Sequence, residues 1–396
     1  MPPVLNIIAL ASFAAALSMR ALDPVLPHVA DELSVTIAIA AGLSSALAFT
    51  FAITQPVLGA AADMFGKARL MVFCLVLLGL ANVLGALTTS YPLLLATRVL
   101  AGIGAGGVFP VTLSLTADLV GPLKRQVAIS RVLAGSMAGN LLGATASGVI
   151  GDMFGWRGVL AILGGLAILS SVAVSIGFKN AKLAKPPGRV DLKVLRSGYR
   201  TIFRNPNTLI CYSAVFIEGS CIFGLFPYIA SFLFERGVTS LSIAGLVLAC
   251  FAFGGLFYTG SVSRMLPRLG VNGMMVSGGL LMGAQLAVMA FGPPWQVQAL
   301  SLLAMGWGFY MLHGSLQIFS SELSQEARAS AMSLHAFCFF MGQSVGPIAY
   351  GFSIAHLGKL PTLLTIAVII GALGFFCAKR LKPIRPADAP APNDLT

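Results

Sequence analysis

Apolar runs of about twenty residues recur along the chain, separated by short polar stretches. Twelve can be marked, at 5–28, 37–60, 70–89, 92–117, 127–150, 157–178, 207–233, 240–260, 272–292, 296–320, 329–353 and 360–378. Some 20 apolar residues, at about 1.5 Å of helix each, cross a hydrocarbon core of about 30 Å. Each run therefore predicts a membrane-spanning helix, and the fold expected is all-α, with twelve transmembrane helices. The breaks divide the chain into a six-helix lobe (1–178), a basic linker (179–206), a second six-helix lobe (207–378) and a tail (379–396). In the linker, Leu192, Leu195, Tyr199 and Ile202 recur at helical spacing beside a stripe of Lys193, Arg196, Arg200 and Arg204. That pattern suits a helix lying on the membrane surface, with a solvated basic linker as the alternative. The Pro-rich polar tail is expected to be disordered. The small-residue run ASFAAALS in the first segment resembles a signal peptide, but it lacks a positively charged start and eleven more spans follow.

Composition agrees with the pattern. Hydrophobic residues make up 57% of the chain and charged residues 10%, against about 25% charged in a soluble domain. Lipid must be the solvent for most of the surface. The six cysteines (Cys74, Cys211, Cys221, Cys250, Cys338, Cys377) all fall in apolar segments without a spaced framework. They read as packing residues rather than disulfides or metal ligands. The net charge is +12, and its placement is informative. With the amino terminus in the cytosol, 20 of the 25 Lys and Arg residues fall in cytosolic loops, linker or tail. The positive-inside bias thus predicts a multi-pass protein of the inner membrane with both termini cytosolic. The basic charge faces anionic headgroups, and no nucleic-acid partner is expected.

The two halves repeat. LPHVADELSVT at 26–36 is similar to FPYIASFLFERGVT at 226–239, with Pro27 matching Pro227. Arg125, Ser130, Gly139, Asn140 and Gly143 align with Arg328, Ser333, Gly342, Gln343 and Gly346. Such pseudo-symmetric lobes place a solute site at mid-membrane between them, with access alternating as one lobe rocks on the other.

After helix 2 the chain reads GAAADMFGKAR, Gly59 to Arg69. It resembles the loop signature G-x-x-x-D-R-x-G-R-R of the major facilitator superfamily, with Met64 and Ala68 in place of basic residues. The resemblance, over essentially the whole chain, implies a conformational gate here: Asp63 would pair with bases near helix 5, and Gly59, Gly66, Lys67, Arg69 and Arg125 belong to the same machinery. RVLAGIGAGG, Arg98 to Gly107, is similar to the Arg-plus-glycine signature of that superfamily's twelve-helix drug:proton antiporters. It is not a phosphate-binding loop, because no strand precedes it and the segment is apolar. Gly102 and Gly106 form a GxxxG that allows close helix approach. GSMAGNLLGA, Gly135 to Ala144, resembles the antiporter signature G-x-x-x-G-P-x-x-G-G. Gly135, Gly139 and Gly143 fit, Asn140 stands for the proline, and a Gly-Pro pair occurs instead at Gly346 and Pro347. GDMFGWR, ending at Trp156 and Arg157, also looks like these exporters, and Trp156 and Trp295 read as interfacial anchors.

Ionisable residues inside spans are functional candidates. Counted from Leu5, Arg20 lies about 22 Å and Asp23 about 27 Å into helix 1. One turn apart, they can neutralise each other; the alternative is that Asp23 caps the outer helix end and snorkels with Arg20. Pro24 favours a kink there. Arg98 sits about 9 Å in from the outer end of helix 4. Glu218 is deepest, about 14–20 Å into helix 7, with no basic neighbour in its helix. A carboxylate is costly in hydrocarbon, so it holds a proton until a cation approaches. Glu218, Asp23 and Arg98 are thus the proton-coupling candidates, with Arg20 and Asp23 expected as partners of Glu218. The resemblance puts helices 1, 4, 7 and 10 around the cavity; Arg20, Phe216, Tyr228, Trp307, His313, Gln317 and Gln343 are its expected lining. Glu322 and Glu326 read as the inner end of helix 10. No nucleophile–base arrangement, metal-ligand spacing or nucleotide loop appears, so neither an enzyme nor a cofactor is expected. The whole predicts a monomeric secondary transporter of a small organic solute, driven by protons. Efflux is the favoured direction, with uptake of a sugar or organic acid by symport as the alternative. A non-transporting sensor would need a signalling domain.

Overall fold

The computed structural model describes residues 4–120, 122–179, 199–324 and 327–381. Glu326, linker residues 180–198 and the tail from 382 fall outside that range, and at Gly59, Asp63 and Arg125 only the backbone is described. Helices form the described chain, in twelve spans. These are α1 (Val4–Glu32), α2 (Ile37–Phe65), α3 (Lys67–Ala86), α4 (Tyr91–Leu119), α5 (122–154), α6 (156–178), α7 (Asn207–Phe234), α8 (241–269), α9 (271–290), α10 (Trp295–Glu322), α11 (Arg328–Leu357) and α12 (Lys359–Arg380). Of these, α10 and α11 are less apolar than most, because they carry His313, Gln317, His335 and Gln343. Below, the ends of the bundle are named for Lys67, in the α2–α3 turn, and Glu32, in the α1–α2 turn.

Four hairpins turn on a left-handed glycine: Gly66 (φ 90°) at α2–α3, Gly155 (φ 67°) at α5–α6, Gly270 (φ 64°) at α8–α9 and Gly358 (φ 85°) at α11–α12. A side chain is strained in that region and glycine is not. The sequence Asp-Met-Phe-Gly occurs at both 63–66 and 152–155. Each lobe is thus two three-helix units with the same hairpin, the second unit running the opposite way through the bilayer.

Both α1 and α7 break where the halves repeat. The first part of α1 ends at Met19, a 3-10 turn covers Asp23–Val25, and helix resumes at Leu26. The first part of α7 ends at Phe223 and helix resumes at Phe226, with Pro227 in its opening turn. Ion pairs repeat as well. Glu32 pairs with Arg157 in the first lobe, and Glu235 with Lys359 (2.8 Å) in the second. Trp156 is not an interfacial anchor: it is buried, and its Nε1 donates to Glu32 Oε2 at 2.5 Å, holding α6 against α1. Trp295 is half-buried against the second lobe's core.

Small residues set the closest seams. A Cβ on Gly135 would stand 2.9 Å from the Ala9 carbonyl oxygen, and one on Gly143 2.7 Å from that of Leu17. These signature glycines, with Gly139 facing Phe13 between them, seat α5 on α1 inside one lobe. Likewise Gly106 meets the α2 backbone at Phe51.

The lobes meet along α2–α11 and α5–α8. At the Glu32 end Asp152 of α5 caps α8: its carboxylate accepts from the Leu241 and Ser242 amides (2.9 and 2.8 Å) and from the Ser240 and Ser242 hydroxyls (3.1 and 2.5 Å). Ala38 of α2 abuts Gly351 of α11. Leu241 is buried in a first-lobe core cluster, and Ala41 and Ala144 in the second-lobe cluster. The contact continues to mid-span, where the rings of Phe51 and Phe340 lie 4.3 Å apart. Of the expected surface helix, residues 199–204 are helical. Ile202 and Tyr199 pack on Tyr212, Leu323 and Ala331 rather than on lipid, and Asn205 Nδ2 donates to the Leu323 carbonyl at 3.1 Å.

Candidate functional site

Glu218 lies in the first part of α7, facing α10, and is 0% exposed. Its Oε2 is 2.8 Å from His313 Nδ1, and its Oε1 is buried without a partner. The partner is therefore a histidine of α10, not Arg20 and Asp23 as the sequence suggests. His313 and Gln317 share one face of α10, and tertiary packing brings His313 against α7. The His313 Nε2 lies 3.3 Å from Gln317 Nε2, and Gln317 is exposed. Aromatic rings pack the imidazole: Phe309 stacks on it at 4.8 Å and Phe339 lies at 4.7 Å. Second-lobe residues thus isolate one carboxyl from water and hold it against one imidazole.

Beside this pair stands His335 of α11, its ring 5.1 Å from that of His313. Sequence reasoning missed it. In SLHAFCFF it reads as a core position, and its polar partner, Ser320, lies on another helix.

Arg20 and Asp23 sit in the break of α1. Arg20 Nη1 is 3.4 Å from Asp23 Oδ2, and Ser44 Oγ donates to Asp23 Oδ1 at 2.7 Å. Asp23 is 0% exposed, so it does not snorkel to water. Arg20 reaches across the lobes: Nη2 donates to Gln343 of α11, and the guanidinium stands 4.7 Å from the Phe223 ring and 5.2 Å from that of Phe226. In this conformation Arg20 and Gln343 are a strut between lobes, not open cavity walls.

Arg98 is 1% exposed. Its Nη1 donates to Asn82 Oδ1 (2.9 Å) and Nη2 to the Ala81 carbonyl (3.4 Å), while Asn82 Nδ2 donates to Ser18 Oγ (3.2 Å). Its Nε is buried without a partner, and none of the ion pairs among the described residues supplies it with a carboxylate. It borders a small space of about 10 Å³, room for about one water, with Ser18, Met19, Leu22, Leu43, Ser44 and Leu47.

Other expected residues fall elsewhere. Tyr228 is buried near the Glu32 end, its hydroxyl donating to the Pro347 carbonyl at 2.7 Å, so it is not cavity lining. Trp307 packs edge-on to Phe257. Phe216 is half-buried, and its carbonyl accepts from Ser220 at 2.9 Å. Gly346 meets the break of α7 at Gly224, and Asn140 is exposed. At the Lys67 end, Lys67 pairs with Asp118 of α4 at 2.6 Å, an acid the sequence reading did not single out, and Arg69 is exposed. Among the described residues, no group of three or more His, Cys, Asp or Glu could hold a metal ion.

Twelve spans in two inverted-repeat lobes, with polar groups buried near mid-bilayer, are the architecture of an alternating-access transporter. Residues 8–347 match the Major Facilitator Superfamily. The chain belongs to that superfamily. Over 405 aligned residues this superfamily member is 25% identical to a chloramphenicol resistance protein of Streptomyces lividans, 99% of each chain being covered. It is also 25% identical over 365 residues to the inner membrane transport protein YdhP of Escherichia coli (strain K12), covering 90% of this chain and 91% of that one. Among solved structures, a bacterial homolog to the human lysosomal transporter Spinster, inward-facing and unoccupied, superposes with a TM-score of 0.76. That match covers 96% of this chain and 98% of the other at 17% identity, which establishes the shared fold.

Proposed function

We propose that this superfamily member exports a small organic solute across the inner membrane in exchange for protons, with Glu218 and His313 as the proton-carrying pair. One observation carries the reading: a fully buried mid-span carboxyl whose hydrogen-bond partner is an imidazole. Such a pair holds one proton in either of two neutral arrangements, acid beside imidazole or carboxylate beside imidazolium. Unpaired, the carboxylate would bear the full cost of burial. Loading or removing the proton therefore changes which arrangement of the helices is stable. The full-length similarity to a chloramphenicol resistance protein supports export. The charge bias puts the Lys67 end and both termini in the cytosol. On that assignment the lobe contacts at the Glu32 end close the outer face.

The experiment is transport by the full chain in proteoliposomes, with labelled chloramphenicol and a panel of other solutes under an imposed pH gradient. Glu218→Gln should abolish gradient-driven accumulation while solute exchange without a gradient continues. Full gradient-driven activity in that variant would remove the coupling role. A second reading, proton-driven uptake of an organic acid, is favoured by the Arg98 guanidinium, which has no paired carboxylate among the described residues and keeps an unpartnered Nε. Preference for anionic solutes, moving inward with protons, would select it.

A further inference from the structure

The second buried imidazole has no part in the pair just described. His335 is 2% exposed; its Nδ1 is 2.7 Å from Ser320 Oγ, which lies 3.0 Å from Cys211 Sγ. Its Nε2 is buried without a partner, as is Glu218 Oε1 in the same cluster. Glu218, His335 and Ser320 descend in that order through the second lobe. Glu218 lies eleven residues, about 16 Å, into α7 from its Lys67-side start; His335 lies seven residues, about 10 Å, into α11; Ser320 stands two residues from the end of α10. The other side of His313 is covered by the Gln317 amide, which neither gains nor loses protons in the working range. The titratable group beside His335 is His313 of α10; Cys211 of α7 lies beyond Ser320, with Cys338 and Glu218 near that thiol. No ion pair among the described residues brings a Lys or Arg to it.

We propose that His335 is the group through which the Glu218–His313 pair exchanges its proton with water at the Lys67 end. The proposal rests on the reading of Glu218 as the proton site. With Nδ1–H donating to Ser320, Nε2 is the nitrogen that gains and gives up a proton, and a hydronium ion from the Lys67 side charges it. The imidazolium then gives its Nε2 proton to one bridging water, and that water gives a proton to His313 Nε2 as the long Gln317 contact opens. His313 passes its Nδ1 proton to Glu218 Oε2. One N–H bond breaks at His335 and one O–H bond forms at Glu218. Both imidazoles and the water end neutral, and the carboxylate becomes the acid. Unloading runs the same steps in reverse.

The test follows the proton itself. The full chain is placed in lipid nanodiscs and given a rapid pH drop, and the carboxylic-acid infrared band that Glu218→Gln removes is timed. His335→Ala and His335→Asn should slow the rise of that band at least tenfold without changing its final amplitude. Imidazole added to the buffer should restore the rate in His335→Ala. Asn can still bond Ser320, so slow loading in His335→Asn separates proton transfer from packing and carries the test if the Ala variant does not fold. Wild-type rates in both variants would overturn the port while leaving Glu218 as the proton site. If Glu218→Gln removes no band, the reading of Glu218 fails, and the port with it.

Discussion

In the first lobe the Arg98 guanidinium is buried and that of Arg20 half-buried, and their surroundings separate their roles. Arg20 has a carboxylate, an amide and two aromatic faces; Arg98 has an amide, a carbonyl and an unpartnered Nε. Removing one member of a buried ion pair strands the other, at a cost of about 3–5 kcal/mol. Arg20→Met should therefore lower the unfolding free energy by about that amount, and adding Asp23→Asn should recover part of it. Additive losses in the double-mutant cycle would show that the two side chains do not act as a pair. For Arg98, Asn82→Ala deletes the acceptor of its shortest hydrogen bond and should cost about 1–3 kcal/mol in the same unfolding measurement. An unchanged midpoint would mean that the guanidinium finds another acceptor. The Arg20–Asp23 pairing was legible because only three residues separate them, although the pair forms across the break of α1 and not on one helical face. The partner of Glu218 was not, since 95 residues separate it from His313 and only tertiary packing brings them together. His335 was missed for the same reason: nothing local marks a lone histidine among phenylalanines as polar-bonded.

The spans themselves were legible because hydrocarbon thickness fixes their length, but the helices overrun the predicted ends. The apolar pattern stops α8 at 260, whereas the helix continues to 269, through Arg264 and Arg268. Hydrophobicity reports where lipid ends; the left-handed glycine reports where the backbone turns. This gives an element-scale prediction at Gly66. A Cβ there would meet nothing within 4 Å, so substitution tests backbone conformation alone. Gly66→Ala and Gly66→Asn should each cost about 1–3 kcal/mol, because φ 90° with ψ 124° lies outside the αL well that asparagine tolerates. An unchanged thermal midpoint in either variant would contradict this account of the hairpin.

At the scale of the whole molecule, the helices stand in one of the two arrangements that alternating access requires, and Asp152 sits where the choice is made. It belongs to one lobe and satisfies the first amides of a helix in the other, at the Glu32 end. A carboxylate at a helix N-terminus contributes up to about 2 kcal/mol. Because tenfold in population corresponds to about 1.4 kcal/mol, losing that contact should raise the fraction of molecules open at this end by about tenfold. Asp63 occupies the matching Asp-Met-Phe-Gly hairpin at the opposite end, so the two acids would bias the same equilibrium in opposite directions. Ala41 is a suitable reporter: it lies on α2, is fully buried, and packs within the second lobe's core. In an Ala41→Cys background, Asp152→Ala should speed alkylation by an impermeant maleimide about tenfold, and Asp152→Glu should restore much of the protection. If alkylation stays slow without the carboxylate, packing along α2–α11 and α5–α8 closes this end by itself. The repeated hairpin would then be a structural turn rather than half of a paired latch.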